Sequence, residues 1–308
     1  MCGIAGYFHK TEGDAPIGSV ILAMLNALAR RGPDSAGAAL YGHGESNGEI
    51  CWIKLDELAD HGRSEATVLE RLAPGARVLS HARHGALLRI VLQRDEPVRD
   101  LCARVEKDGC EVISLGRSLE LVKEVGAPDN LTAVLDLSTF RGTHGIGHTR
   151  LSTESKVDLS HSQPFWARGI PDLATVHNGH ITNYDRLRRV YEGRGYRFFT
   201  HNDSEVIAVY LADLISHGHT FEEALRSSLD DFDGSFTYLA ATADEFGYAR
   251  DPFAFKPLIT VETEHAVAIA NEEIAIRSAL GDAGVAHEPS GHIYRVWRRA
   301  PVRAQVPA

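Results

Sequence analysis

The sequence has 308 residues, 44% of them hydrophobic and 24% charged, with a formal net charge of −10 at neutral pH; these are the proportions of a globular chain long enough for one large domain or two ordinary ones. The acidic balance excludes a nucleic-acid partner, because polyanions are held largely through Lys and Arg contacts to phosphate. No apolar run approaches the ~20 residues needed to span a bilayer, and the N-terminus lacks the charged-then-apolar layout of a signal peptide, so the chain reads as cytoplasmic with no membrane partner.

Met1-Cys2-Gly3-Ile4-Ala5-Gly6 opens the chain. The small side chain at position 2 permits removal of Met1, which leaves one residue carrying both a thiol and a free α-amino group. A free cysteine thiol titrates near ~8.5 and gains from a proton acceptor beside it; an α-amino group, at ~7.7 to 8.0, is tuned about right. A cysteine at position 2 is also an ordinary occurrence, so residues far downstream have to decide its meaning. Ile4 to Phe8 predicts a short buried strand, and Ile17 to Leu28 carries apolar residues at helical spacing after Pro16. Arg30 to Gly37 is a turn-rich break leading into a strand near Ala38 to Tyr41. Its small residues let the backbone pass close to the N-terminus, with Arg31 and Asp34 fixing the loop by hydrogen bonds.

From about 50 to 140, helix-like stretches at Glu65 to Leu72 and Arg117 to Val125 alternate with strand-like ones at Arg77 to His81, Leu87 to Gln93 and Glu111 to Leu115. None offers a catalytic constellation, and this part reads as an elaboration of the scaffold or a docking surface. Gly145 to Thr153 reads as a strand running into a loop. It is followed by Ser162-Gln163-Pro164-Phe165, a strand at Leu173 to Val176, and His177-Asn178-Gly179-His180. Helices are expected near Tyr184 to Tyr191 and at Val206 to Ile215, the second with Asp203 or Ser204 as its N-cap.

These stretches supply the parts for opening a carboxamide. A thiolate attacking an amide carbonyl makes a tetrahedral oxyanion that needs preorganised donors, and the side chain of Asn178 with the backbone N–H of Gly179 provides two; an Asn-Gly pair is also a common turn. A free amino acid brings a carboxylate, which Arg150 can bind as a fork, and an ammonium, which Asp203 can take. The cysteines at 2, 51, 102 and 110 form no CxxC pair, and the 16 histidines form no HExxH, so no metal is expected. No GxxxxGK[ST] stretch appears, and the glycines of 142–147 have the wrong spacing for a dinucleotide fingerprint, so neither ATP nor NAD is expected through those devices.

Met1-Cys2-Gly3-Ile4, Arg31-Gly32-Pro33-Asp34-Ser35, Gly147-His148-Thr149-Arg150, Ser162-Gln163-Pro164-Phe165, His177-Asn178-Gly179 and Asp203-Ser204-Glu205 resemble, in this order, the motifs of class II glutamine amidotransferases, the N-terminal-nucleophile family. Ala249-Arg250-Asp251-Pro252, Lys256-Pro257-Leu258, Ala270-Asn271-Glu272 and Glu288-Pro289-Ser290-Gly291 resemble the closing part of the same domain. The resemblance implies an α+β fold, a four-layer α-β-β-α sandwich of the N-terminal nucleophile hydrolase type, formed by a single domain over 1–308 with the elaborated segment inside it. It also implies hydrolysis of L-glutamine to glutamate and ammonia through a γ-glutamyl thioester, with Cys2 as nucleophile, its α-amine as base, Asn178 and Gly179 as oxyanion donors, and Arg150 and Asp203 holding the substrate. Leu151, Glu154 and Gln163 depart from the glucosamine-6-phosphate synthase branch, which has Trp, His and His there.

The glutaminase-like motifs run almost to Ala308, which leaves no room for a synthase module. The ammonia is then expected to enter a separate synthase subunit, and the layout is similar to the amidotransferase subunit of N-methylglutamate synthase and split glutamate synthase-like systems. That likeness implies a hetero-oligomer with no cofactor on this chain and a flavin on the partner. Two other readings stand beside it: an N-terminal-nucleophile amidohydrolase acting on a different amide, and a non-catalytic glutamine-binding regulatory module.

Overall fold

The computed structural model describes residues 2–44, 47–56, 60–152 and 156–299. The described chain runs through β1 (Gly3–His9), α1 (Ile17–Leu28), β2 (Ser35–Tyr41), β3 (Glu49–Lys54), α2 (His61–Leu72), β4 (Ala76–His84), β5 (Leu87–Arg94), α3 (Val98–Val105), β6 (Glu111–Gly116), β7 (Leu119–Val125) and β8 (His144–Arg150). β9 (Phe165–Trp166), β10 (Ala174–Ile181), α4 (Tyr184–Gly193), α5 (Asp203–Ser216) and α6 (Phe221–Asp231) come next. They are followed by β11 (Gly234–Ala241), β12 (Glu245–Arg250), β13 (Ile259–Glu262), β14 (Ala266–Ala270), α7 (Glu273–Leu280) and β15 (Ile293–Arg298).

The apolar residues of α1 at Ile17, Ile21, Met24, Leu25 and Leu28 recur at helical spacing and are all buried. They lie, with α7, on one antiparallel sheet ordered β13-β14-β1-β8-β2-β7. A second sheet, ordered β15-β12-β11-β10-β9, is covered on its far side by α5 and α6. The two sheets face each other, which gives the four-layer α-β-β-α sandwich of an α+β fold, with an apolar core between the sheets and another under α5 and α6. At Gly6 the sheets approach so closely that a Cβ would sit 2.7 Å from the Phe246 ring and 2.8 Å from Leu239.

Residues 49–116 build a third sheet, ordered β4-β5-β3-β6, on which α2 and α3 lie. α2 starts at Asp60, whose carboxylate caps Gly62 and Arg63, and buries Val68 and Leu72. The stretch 117–125, whose apolar spacing predicts a helix, is instead strand β7. Its spacing satisfies both periods, and pairing with β2 from Ser35↔Val125 to Tyr41↔Leu119 decides between them. Buried Glu120 then takes the Trp52 indole N–H at 2.6 Å and an Arg89 ion pair at 2.6 Å. Among the described residues no helix is long and apolar enough to cross a membrane.

Gly6→Val forces a branched side chain into the Phe246–Leu239 contact. It is expected to lower the unfolding free energy by about 1–3 kcal/mol, seen as a lower urea midpoint at unchanged m value; an unaltered midpoint would contradict the close approach of the two sheets.

Candidate active site

Strand alternation decides which side chains meet. On β8, His144 and His148 point at the second sheet, with Nε2 atoms 2.7 Å from Thr242 O and 3.2 Å from His177 O. A Cβ on Gly145 or Gly147 would run into Ile21 or Leu25 of α1 instead, so Arg150 shares the inward face with His148. On β1, Phe8 stacks on Phe246 while Gly3 abuts Thr149 and Leu28, which puts Cys2 at the inward-facing end of the strand. On β10, Ala174 and Val176 join the core between the sheets and His177 turns outward to Ser204, so Asn178 looks back across the gap. Register then aligns the ends. Gly3 opposes Thr149, which sets Cys2 beside Arg150, and the His148 to His177 bond lies one residue from Asn178.

Several distant segments hold the first residues. Ile4 N donates to Asn271 Oδ1 at 2.6 Å and Ile4 O accepts from Asn271 N at 3.3 Å. Arg31 donates from Nε to Cys2 O at 3.1 Å and from Nη1 to Glu272 at 2.6 Å. Asp34 donates its backbone N–H to Arg150 O at 3.0 Å and accepts Ser152 N–H on its carboxylate at 2.7 Å. Gly32 lies so near β8 that a Cβ there would be 2.4 Å from Arg150 N. Half-buried Cys2 places Sγ 3.8 Å from Leu151 O. Arg150 is only 3% exposed. Burial pulls its guanidinium below the ordinary value, while a Cys2 thiolate and the carboxylates of Asp158 and Asp34 push it back, so it stays cationic. Its Nη1 donates to Lys156 O at 2.8 Å.

The Asn-Gly pair is strand, not turn. Phe236 donates to the Asp251 carboxylate at 2.9 Å and accepts Asp251 N–H at 3.0 Å, so it faces β12 with both backbone groups. The Gly179↔Phe236 pair of β10 and β11 is therefore the non-hydrogen-bonded kind, and the Gly179 N–H points to the other edge of β10. His177 N and Ile181 N point the same way, to Gln163 Oε1 at 2.6 Å and Asp203 Oδ2 at 2.7 Å. β9 covers this edge only at Ala174 and Thr175. Gly179 has φ +152° and passes so close to β11 that a Cβ would lie 2.3 Å from Ser235 O, so only glycine fits. The Asn178 side chain is buried and its Nδ2 has no hydrogen-bond partner among the described residues.

The N-cap of α5 is Asn202, rather than Asp203 or Ser204 as expected, and it accepts Ser204 N–H at 3.1 Å; Asp203 is the first helical residue, and its carboxylate reaches Ile181 N. Sequence reasoning missed the polar bridge behind these groups. Gln163 Nε2 donates to His177 O at 3.2 Å and Ser204 Oγ at 3.1 Å, and Ser204 Oγ sits 2.8 Å from His177 Nδ1. Burial lowers the pKa of His148, to about 3, and of His177, so both imidazoles are neutral at pH 7. The available signal was His148 two residues before Arg150 on one strand face. Among the residues singled out from the sequence, Cys2, Arg150, Arg31 and Asp34 meet on the first sheet and Asn178, Gly179 and Asp203 on the second. Met1 and Glu154 lie outside the described residues.

Residues 148–278 match the family model of a glutamine amidotransferase domain. A Methanothermobacter thermautotrophicus protein named as a glutamine amidotransferase is 35% identical over 300 residues, covering 95% of this chain and 98% of its own. The glutamine amidotransferase-like protein GlxB of Rhizobium meliloti is 38% identical over 278 residues, 90% and 91% of the two chains. This chain belongs to the class II glutamine amidotransferases. The amidotransferase shares its fold with glutamine phosphoribosylpyrophosphate amidotransferase from B. subtilis, at TM-score 0.60 and 19% identity over 98% of this chain; it spans half the length of that protein.

Behind Asp203, the amidotransferase buries a charge cluster. Glu205, in the first turn of α5, accepts the N–H groups of Phe199 and Thr200 at 2.9 Å each. Lys123 of β7 is 2% exposed, with its ammonium 5.1 Å over the Phe165 ring. Burial lowers its pKa to about 8 against the pull of Glu111 and Glu205. Between that value and the ordinary 10.5 the unfolded chain holds the extra proton, so raising the pH through this window strengthens the fold. Urea midpoints at pH 7.5 and 9.5 are therefore expected to rise more in the wild type than in Lys123→Met; an equal change in both proteins would contradict a lysine whose pKa burial lowers.

Proposed function

We propose that this amidotransferase hydrolyses L-glutamine at Cys2. The observation that carries the reading is the buried Asn178 amide, a donor without an acceptor among the described residues, on the sheet face opposite Cys2 and Arg150. The α-amine bared by removal of Met1 takes the Cys2 proton, and the thiolate attacks the side-chain carbonyl carbon of glutamine. Asn178 Nδ2 and the Gly179 N–H hold the resulting oxyanion. The proton passes to the leaving nitrogen, ammonia departs, and a γ-glutamyl thioester remains; water then adds to it, releasing glutamate and restoring the thiol. Arg150 pairs with the substrate carboxylate and Asp203 with its ammonium, while Arg31 and Asp34 keep the loop closed over the terminus.

On the same reading the ammonia passes to a separate synthase subunit of the glutamate synthase or N-methylglutamate synthase type. The assembly is a cytoplasmic hetero-oligomer whose flavin sits on the partner, and this chain carries no cofactor. The near-equal length of the two relatives supports a unit of this size. The third sheet is an elaboration within a single domain over 1–308.

Glutamate release from glutamine is expected to vanish in Cys2→Ala. Asn178→Ala is expected to lower kcat ~100- to 1000-fold, whereas Asp203→Asn raises KM, with asparagine a poor substrate for the wild type. Retention of activity in Cys2→Ala would end the mechanism, and equal use of asparagine would redirect the substrate. Addition of the partner subunit should raise the rate.

A further inference from the structure

We propose that a cavity between α3 and the C-terminal end of α5 is a binding site for a small organic anion with a flat apolar body. The cavity measures about 1070 Å³, about the upper end of the range of ligand pockets. It is separate from the candidate active site, because α5 places Asp203 at its first residue and the cavity-lining Ala212, Leu214 and Ser216 toward the far end of its 14 residues, ~14 to 20 Å away along the axis.

The lining defines the ligand. Val98, Cys102, Ile170, Ala212 and Leu214 form an apolar floor, with the Tyr196 ring beside them and exposed Ala103 at the mouth. Around it stand the guanidinium groups of Arg99, Arg168, Arg194 and Arg197, against only two lining carboxylates, Glu106 and Asp213. The carboxylates are already engaged. Glu106 holds Arg168 in a close ion pair and Arg197 at 3.9 Å, and Asp213 Oδ2 holds Arg194. Arg168 also takes Glu111 from behind at 3.3 Å, and it and Arg197 stack on Phe199 at 3.9 and 4.4 Å. Arg99 is exposed at the rim and has no carboxylate partner among the described residues. The cavity thus carries a positive excess that favours an anion, and forked guanidinium groups suit a phosphate or a carboxylate. Asp213 Oδ1 is buried with no hydrogen bond among the described residues, and the imidazole of His217, also in the lining, stands 3.7 Å from it.

The shared chemistry is an anionic head on a flat apolar body, and it has two sources, a nucleoside monophosphate or an aromatic carboxylate. Anilinonaphthalene sulfonate, an aromatic anion, serves as the probe, with fluorescence titrated in the absence of glutamine so that binding is read independently of turnover. Saturable one-to-one binding is expected, weakened at least fivefold in Arg99→Glu and lost in Ala103→Trp, which sets an indole across the exposed mouth. Unchanged glutamine turnover in both variants shows that they fold. Displacement by AMP assigns the nucleotide source and displacement by phenylpyruvate the carboxylate. Probe binding that is the same in both variants as in the wild type, or that neither anion displaces, overturns the proposal.

Discussion

Cys2 directly precedes β1, so the position of its thiol depends on how β1 is held at its start. β14 ends at Ala270, one residue short of covering Ile4, and there Asn271 takes over the ladder with its own N–H and its side-chain oxygen. Arg31 then closes on the Cys2 carbonyl, anchored from behind by Glu272. A buried backbone group left unpaired costs ~1–3 kcal/mol, so both backbone groups of Ile4 and the carbonyl of Cys2 gain fixed partners before the thiol is reached. Two segments separated by more than half the chain thereby determine the position of one sulfur.

The second constraint is the facing of the two sheets. Their shared interior is mostly apolar, with His144 crossing to the Thr242 carbonyl at one end and His148 to the His177 carbonyl at the other. Buried polar atoms are almost always paired, yet here they are not. Among the described residues His148 Nδ1, Asn178 Nδ2, Ser35 Oγ and Thr237 Oγ1 lack partners, and Ser35 and Thr237 are the ladder neighbours of Arg150 and Asn178. A fold that leaves so many polar atoms unsatisfied in one place offers them to something other than itself, and burial keeps the His148 imidazole neutral so that it adds no charge to the gap.

The sequence read well wherever local chemistry and tertiary demand agreed. The helix over Ile17 to Leu28 follows from its apolar spacing alone, and the strands at β1, β5 and β8 from short apolar or small-residue runs. It read poorly where two periods fit at once, as at 117–125, which became a strand because β2 needed a neighbour there. Asn202, Asp203 and Ser204 are all good caps, and only the reach of Asp203 to Ile181 N settles which one caps. The Asn-Gly pair carries the strongest short-range turn signal in the language, but the partners that make it strand, Ser235 to Thr237, lie far along the chain. Cys2, Arg150, Asn178 and Asp203 were legible as parts because each has a chemistry of its own. The bridge of Gln163, Ser204 and His177 was not, because those residues act on one another and only proximity reveals it.

The position of Asp203 rests on more than its hydrogen bond. Residues 204–213 of α5 are buried, a helix enclosed on all sides, and close packing leaves such an element little freedom to bend. Its first turn is set by Glu205, which ties down the preceding loop at Phe199 and Thr200. Glu205 in turn shares the field of Lys123 with Glu111 of the third sheet, and Glu111 meets Arg168, which lies on the face of Phe199. The third sheet, far from the thiol in sequence and topology, therefore reaches the Asp203 end of α5 through a chain of buried charges. Removing one member would leave its neighbour an uncompensated charge in a low-dielectric interior, a cost of several kcal/mol, and that penalty binds the added sheet to the geometry of the site.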